Sequence, residues 1–185
     1  MKKIYDTIFL DRDGTLNPDP GYISNLSDFS LYNFTIPALI KLTQIANRFC
    51  IVTNQSGVKR GLIQQKSLDE IHRYIKSTFL EHNIPLLGIY VCTDLPNCAS
   101  KRRKPETGMF LEASNTHKID LEKSLMIGDS VADIEVGKKL NMDTLLVLTG
   151  VGKKTLKSLS QFTQPTFIED SIYSFASNNV GVISS

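Results

Sequence analysis

Two carboxylates stand one residue apart in the segment Asp11-Arg12-Asp13-Gly14-Thr15, directly after an apolar run. Side chains at i and i+2 of an extended chain point the same way, so Asp11 and Asp13 are expected to face one site. Such anions repel each other unless a cation or a shared proton joins them. One can attack phosphorus while the other moves a proton, and Gly14 permits a sharp exit from the strand. An acidic turn with an Asx cap is the alternative interpretation.

A second polar cluster, Thr53-Asn54-Gln55-Ser56-Gly57, follows another short apolar run. Its hydroxyl, amide and loop N–H groups can donate hydrogen bonds to phosphoryl oxygens. The alternative is a polar turn in which Thr53 or Ser56 caps the next helix.

The third cluster is basic and reads Lys101-Arg102-Arg103-Lys104-Pro105. Lys104 offers a compact charge for a phosphoryl group, and Arg103 offers a planar fork suited to bidentate contact. A solvated basic loop and a nucleic-acid patch are the alternatives. The absence of interleaved aromatic residues disfavours the second of these.

The fourth cluster, Gly128-Asp129-Ser130 with Asp133 three residues further on, stands where a strand gives way to a helix. Asp129 and Asp133 are four residues apart and can share one helix face. An acidic oxygen site of this kind suits Mg²⁺, which prefers a few carboxylates with water and phosphate. N-capping by Asp129 or Ser130 is the alternative.

Short apolar runs alternate with amphipathic stretches along the chain, as β-α alternation requires. The predicted strands are residues 4–10, 49–53, 87–92, 124–128 and 143–148, and the predicted helices are 36–47, 67–82, 107–117 and 130–140. A capping box of Ser67 and Glu70 is predicted for the second helix, and a weaker strand and helix lie between Pro165 and Ser177. This order predicts a parallel sheet with helices on both faces, and a site beyond the carboxyl ends of its strands.

Composition fits one ordinary globular domain, residues 1–185, with 41% hydrophobic and 22% charged residues. A net charge of +2 gives little support for nucleic-acid or anionic-membrane partners, and no stretch approaches the roughly 18 apolar residues that span a bilayer. Three cysteines argue against a disulfide framework and suit a reducing cytoplasm. We expect a cytoplasmic monomer.

The order and spacing of the four clusters resemble the haloacid-dehalogenase superfamily of phosphatases. The resemblance covers residues 4 to about 150 and rests on Asp11-x-Asp13-Gly14-Thr15, Thr53, Lys104 and Gly128-Asp129-x-x-x-Asp133. It implies a three-layer Rossmann-like α/β fold. Little more than a helix separates the first two motifs, and a helix and a strand separate the next two, so no large cap domain fits.

The same resemblance implies a role for each matching residue. Asp11 would be the nucleophile and Asp13 the general acid/base, while Thr53 and Lys104 would bind the phosphoryl group. The reaction would be phosphomonoester hydrolysis through an aspartyl phosphate.

Magnesium is the cofactor that the resemblance implies. Asp11, the carbonyl of Asp13 and Asp129 would hold the ion. Asp133 would support Asp129 or the Lys104 side chain rather than ligate the metal.

A closer resemblance is to the heptose 1,7-bisphosphate phosphatases. It rests on residues 11–17 and 21–23, on Thr53-Asn54-Gln55-Ser56-Gly57-Val58-x-Arg60-Gly61, and on Arg103-Lys104-Pro105-x-x-Gly108-Met109. By this resemblance, Arg103 and the turn of Asn54, Gln55 and Ser56 grip a small sugar bisphosphate.

Proteins with other functions share parts of these sequence motifs. Histidinol-phosphate phosphatases and polynucleotide 3′-phosphatases are the alternatives within the class, and a sugar phosphotransferase or phosphomutase is the alternative from another class. A non-catalytic sugar-phosphate binder is a further alternative, against which the intact Asp11 and Asp13 speak.

The chain departs from these relatives in two places. Many carry a zinc loop, Cys-x-His followed by Cys-x-Cys, whereas this chain has Cys92, Asp94 and a single Cys98. Because structural zinc takes four nitrogen or sulfur ligands, we expect no zinc. Ser130 stands where heptose bisphosphatases commonly have lysine.

Several weaker sequence features are expected to have structural rather than catalytic roles. Residues 150–155, Gly-Val-Gly-Lys-Lys-Thr, fail the P-loop pattern and are expected to form a loop after the fifth strand. Cys50 is expected in the core, while His72 and His82 should pack or face solvent rather than bind metal.

Overall fold

The structure is a computed structural model that describes residues 4–161 and 163–180. Its strands are β1 Tyr5–Leu10, β2 Ala46–Asn54, β3 Leu86–Cys92, β4 Leu125–Gly128, β5 Asp143–Val147 and β6 Phe167–Glu169. Its helices are α1 Thr35–Leu42, α2 Ser56–Lys59, α3 Gln65–Glu81, α4 Gly108–His117, α5 Val131–Lys139, α6 Gly152–Ser158 and α7 Ile172–Val180. None of the helices in these residues is long and apolar enough to cross a membrane.

All six strands are parallel, in the order β3-β2-β1-β4-β5-β6. The chain proceeds from β1 through β2 to β3 on one side and then crosses to β4 on the other. The order therefore reverses between β1 and β4, and in open α/β sheets such a reversal opens a crevice at the carboxyl ends. Asp11 follows β1 and Asp129 follows β4, so the sheet itself delivers both carboxylates to that crevice.

Successive side chains of the central strands enter two separate cores, which makes the fold a three-layer structure. Ile8 and Leu10 pack with apolar residues of α1, α3 and α7, whereas Phe9 packs with those of α4 and α5. Cys50 also lies in the second core and is fully buried, as predicted. The predicted α/β class with helices on both faces is confirmed.

The connections above the carboxyl ends of the strands are short or irregular. The longest, residues 11–34, contains a single 3-10 turn, Leu26–Asp28. Across the described residues, the fold carries no large cap domain, as predicted.

Most predicted elements lie within one residue of their predicted bounds, but the first helix ends earlier than predicted. The predicted helix 36–47 ends at Leu42, and Ala46 already pairs with Tyr5 in the sheet. The apolar spacing that predicted this helix was misleading, because Ile40 does not face the core and is 45% exposed. Ile45 is buried, but it lies at the entry to β2 rather than in the helix. A buried strand start and a helical stripe look alike over so few residues.

Two further expectations were wrong. α3 begins at Gln65, so Ser67 lies inside the first turn, and the N-cap Gln64 makes no side-chain cap hydrogen bond. Residues after β5 do not stay a loop, because α6 begins at Gly152. The weaker strand and helix between Pro165 and Ser177 exist as β6 and α7.

Candidate active site

Three aspartates converge where the strand order reverses. Asp11 continues the ladder beyond β1, because its N–H donates to the carbonyl of Ile127 at 2.9 Å. Carboxylate oxygens of Asp11, Asp129 and Asp133 lie within 4.8 Å of one another. Because carboxylates repel at this spacing, the site requires a compensating positive charge.

Lys104 supplies part of that charge from beneath the site. Its Nζ lies 2.9 Å from Asp11 Oδ1 and 2.7 Å from Asp133 Oδ1, and it donates to the carbonyl of Val52 at 2.8 Å. Burial by itself lowers the pKa of Lys104, but the two carboxylates raise it above its usual value. The side chain is therefore an ammonium whose three N–H groups all have acceptors.

Lys104 does not fully compensate the carboxylates on the other side of the site. Burial raises the pKa of Asp11 to about 7 and that of Asp129 to about 8, and neighbouring carboxylates add to both shifts. The N–H of Val151 donates to Asp129 Oδ2 at 2.7 Å and opposes the shift only in part. An all-oxygen, electron-rich group of this kind fits a hard divalent cation.

Glycines leave the room that this group occupies. Gly14 has a φ of +82° and Gly150 a φ of +53°, and a Cβ on either would collide with Asp129 Oδ2. A side chain at either position would therefore displace the carboxylate.

Asp13 lies beside Asp11 and accepts four hydrogen bonds. Arg12 donates from Nε at 3.0 Å and from Nη2 at 2.8 Å. Asn17 Nδ2 donates at 2.9 Å and Gln55 Nε2 at 2.6 Å. The direction of this carboxylate is consequently set by three neighbouring side chains.

The second cluster sits at the end of β2 and ties the other clusters together. Thr53 is buried, and its hydroxyl accepts from Gln55 Nε2 at 2.9 Å. Asn54 exchanges two 3.1 Å hydrogen bonds with the backbone of Lys104. Gln55 and Asn54 thus hold the phosphoryl-binding candidates Thr53 and Lys104 in register.

Asp133 joins the helix end to the lysine. It is fully buried, and its Oδ2 accepts from the N–H and hydroxyl of Ser130 at 3.1 and 2.6 Å. Ser130 and Asp133 thereby form a capping box at the start of α5, so the capping interpretation of Ser130 also holds. Asp133 Oδ1 remains directed at Lys104.

A cavity of about 420 Å³ opens above these groups. Its lining residues are Asp11, Asp13, Asp19, Gly21, Tyr22, Thr53, Asn54, Gln55, Lys104, Asp129, Ser130 and Val151. The lining excludes Ser56, the first residue of α2, and Arg103, whose Nη1 donates to the carbonyl of Asp94 at 2.8 Å.

Sequence reasoning missed Asp19, Tyr22 and Val151. The first two come from the long connection after β1, and Val151 comes from the segment expected to be a plain loop. The string Gly21-Tyr22-Ile23 was a signal for this connection, but a string alone does not say which side chains reach the cavity.

Cys92 is the last residue of β3, and Cys98 lies in the segment that follows the strand. Cys92 is buried and Cys98 is exposed, and the carboxylate of Asp94 between them accepts the N–H of Ser100 at 3.0 Å. Within residues 4–161 and 163–180, the three aspartates are the group of acidic, histidine or cysteine side chains with metal-ligand spacing.

Comparison with known proteins agrees with this geometry. The profile of the HAD-hydrolase-like family matches residues 101–175. The D-glycero-beta-D-manno-heptose-1,7-bisphosphate 7-phosphatase of Photorhabdus laumondii is 34% identical over 151 residues, covering 77% of this chain and 80% of the relative. The enzyme of the same name from Helicobacter pylori strain J99 is 36% identical over 157 residues, covering 83% and 89%.

A solved structure agrees over nearly the whole chain. The D,D-heptose 1,7-bisphosphate phosphatase from B. bronchiseptica, complexed with magnesium and phosphate, superposes with a TM-score of 0.84 at 27% identity. The match covers 95% of this chain and 98% of that one.

Fold and site together define a phosphatase of the haloacid-dehalogenase-like hydrolases. Within that class, the chain belongs to the family of the D-glycero-beta-D-manno-heptose-1,7-bisphosphate 7-phosphatases. The predicted family and the predicted enzyme class are confirmed.

Proposed function

We propose that this phosphatase removes the 7-phosphate of D-glycero-D-manno-heptose 1,7-bisphosphate and leaves the 1-phosphate, a step in the synthesis of nucleotide-activated heptose. The observation that carries the proposal is Asp11, which lines the cavity with Lys104 on one side and Asp129 on the other. The names of the relatives support the choice of sugar.

In the first step, a carboxylate oxygen of Asp11 attacks phosphorus. The bond between phosphorus and the C7 oxygen breaks, and Asp13 gives that oxygen its proton. Lys104 and Thr53 stabilise charge on the equatorial oxygens, which is the main task in phosphoryl transfer.

In the second step, Asp13 takes a proton from a water molecule whose oxygen attacks phosphorus. The bond between phosphorus and Asp11 breaks, and inorganic phosphate leaves. Asp11 is then a free carboxylate again, and Asp13 holds the proton that the next leaving oxygen needs.

Asp11, Asp129 and the carbonyl of Asp13 are the groups that would hold Mg²⁺. The close approach of the Asp11 and Asp129 carboxylates, which is unfavourable without a cation, supports this assignment, as does the oxygen-only ligand set. When bound, the ion neutralises charge on the phosphoryl group and on both carboxylates.

Arg103 with the turn of Asn54, Gln55 and Ser56 is the proposed grip for the rest of the bisphosphate. Asn54 and Gln55 line the cavity, whereas Ser56 and Arg103 lie outside its lining. Arg103 directly precedes Lys104, and its guanidinium would exchange the carbonyl of Asp94 for the second phosphate. Charge-assisted hydrogen bonds from a guanidinium fork suit a second phosphate.

Phosphate release from a substrate panel tests the proposal. The panel contains the heptose 1,7-bisphosphate, histidinol phosphate and a 3′-phosphorylated oligonucleotide, each with magnesium and with the Asp11→Asn variant as control. The heptose bisphosphate should give the highest kcat/KM, and the variant should keep less than about 1% of the activity. Faster hydrolysis of another panel member would overturn the sugar assignment, and transfer to a second sugar without phosphate release would indicate a phosphotransferase.

A further inference from the structure

Arg12 is an arginine buried inside the active-site wall. Its side chain is 1% exposed, and its guanidinium lies over the ring of Phe29, 5.8 Å from the centroid. Two of its nitrogens form the bidentate contact with Asp13. A buried guanidinium needs acceptors for its remaining N–H groups, because an unpaired buried charge is costly.

His72 provides one of these acceptors from α3. Its Nε2 lies 3.2 Å from Arg12 Nη1, and the side chain is buried. Arginine only donates, so His72 Nε2 must accept and the ring proton must be on Nδ1. Burial, followed by the charge of Arg12, lowers the pKa of His72 to about 4, which keeps the ring neutral.

These contacts form a chain from a helix outside the four clusters to the carboxylate beside the nucleophile. We propose that His72 is a positioning residue of the phosphatase reaction, holding Arg12 so that the guanidinium fork aims Asp13 at the leaving oxygen. The inference rests on the proposed role of Asp13 as general acid.

The contacts from His72 through Arg12 would set the direction in which the Asp13 carboxylate points. Proton transfer depends on placing the acid within hydrogen-bond reach of the leaving oxygen, and small misplacements are costly in rate. Asn17 and Gln55 also donate to Asp13, so loss of His72 should loosen the carboxylate without freeing it. We therefore expect a smaller effect than loss of Asp13 itself.

Substituted phenyl phosphates isolate this role, because they differ in the leaving group and not in the rest of the substrate. In kcat/KM, which reports expulsion of the leaving group, His72→Phe should lose about tenfold on phenyl phosphate. On p-nitrophenyl phosphate, whose leaving group needs no proton, the loss should stay within about threefold. His72→Gln, which restores an acceptor near the Nε2 position, should recover most of the loss.

Two controls separate positioning from general stability. His82 ends the same helix and is exposed, so His82→Phe should change neither ester. In an Asp13→Asn background, adding His72→Phe should have no further effect on phenyl phosphate, because the group being aimed is already gone. If His72→Phe does not fold, His72→Leu gives the same readout with a smaller side chain.

An equal loss on all the esters would overturn the inference, since it would reflect only altered packing. If Asp13→Asn shows the selective loss and His72→Phe does not, the inference fails while the proposed function stands. If Asp13→Asn itself shows no selectivity, the proposed role of Asp13 fails, and the inference fails with it.

Discussion

Arg103 and Lys104 are neighbours in the chain but have different surroundings in the structure. Lys104 is buried between two carboxylates, whereas Arg103 is half-buried and donates to the carbonyl of Asp94. Removing Arg103 should therefore affect substrate recognition without disturbing the ion pairs under the nucleophile.

We expect Arg103→Ala to lower kcat/KM on the heptose bisphosphate by about ten- to a hundredfold, because a charge-assisted contact to the second phosphate is lost. Activity on p-nitrophenyl phosphate, which has no second phosphate, should barely change. Steady-state kinetics on the two substrates measures the difference, with exposed Lys101→Ala as the matched control. A similar loss on both substrates would contradict the proposed grip.

The sequence predicted which side chains lie together better than it predicted their contacts. Asp11, Asp13, Thr53, Lys104 and Asp129 line one cavity, because each follows or faces the carboxyl end of a parallel strand, whereas Ser56 and Arg103 of the same predicted site do not line it. Side chains from the irregular connection of residues 11–34 were missed, since no period fixes where they point.

The start of α5 combines a helix cap with an ion pair. Asp133 serves both, because one oxygen accepts from Ser130 while the other accepts from Lys104. Its two roles can be separated by substitution, since Ser130 takes part only in the cap.

Asp133→Asn should lower the free energy of unfolding by about 3–5 kcal/mol, because it leaves a buried lysine short of one carboxylate. Ser130→Ala should cost only about 1 kcal/mol, the usual value of a helix cap. Urea unfolding measures both, with Glu135→Gln on the same helix as a control for charge removal. A cost for Asp133→Asn no larger than that for Ser130→Ala would refute the role of the buried pair.

The bounds of a strand or helix were predictable where its buried residues follow the period of that element. β4 is apolar throughout and β1 ends in the buried run Ile8–Leu10, and their predicted bounds were accurate within one residue. The predicted end of α1 was wrong because the apolar residues of this helix are followed closely by those of the buried strand β2. α6 was missed because Leu156 is the one large apolar residue among its seven residues, so no helical period marks it in the sequence.

The sheet concentrates carboxyl groups at the point where its strand order reverses. Asp11 and Asp129, with pKa values of about 7 and 8, hold protons that an unfolded chain would release near 3.8. Their contribution to the stability of the metal-free protein is therefore present below about pH 4 and is lost as pH rises through 7 to 8.

A divalent cation needs these carboxylates ionised, so magnesium affinity should rise over the same range, by up to about tenfold per pH unit for each proton displaced. The increase in Tm caused by magnesium chloride should accordingly be larger near pH 8.5 than near pH 6. Thermal unfolding at the two pH values measures this, and Asp129→Asn should abolish the difference. An equal or larger increase at the lower pH would contradict the site.

In the proposed mechanism, Asp11 becomes phosphorylated during turnover. Rapid quenching with the heptose bisphosphate and magnesium, followed by borohydride reduction and mass spectrometry, converts an acyl phosphate into homoserine at the modified position. We predict homoserine at residue 11 that requires substrate and is absent in Asp11→Asn. Steady phosphate release with unmodified Asp11 in the quenched enzyme, or modification at another carboxylate, would contradict the role of Asp11 as nucleophile.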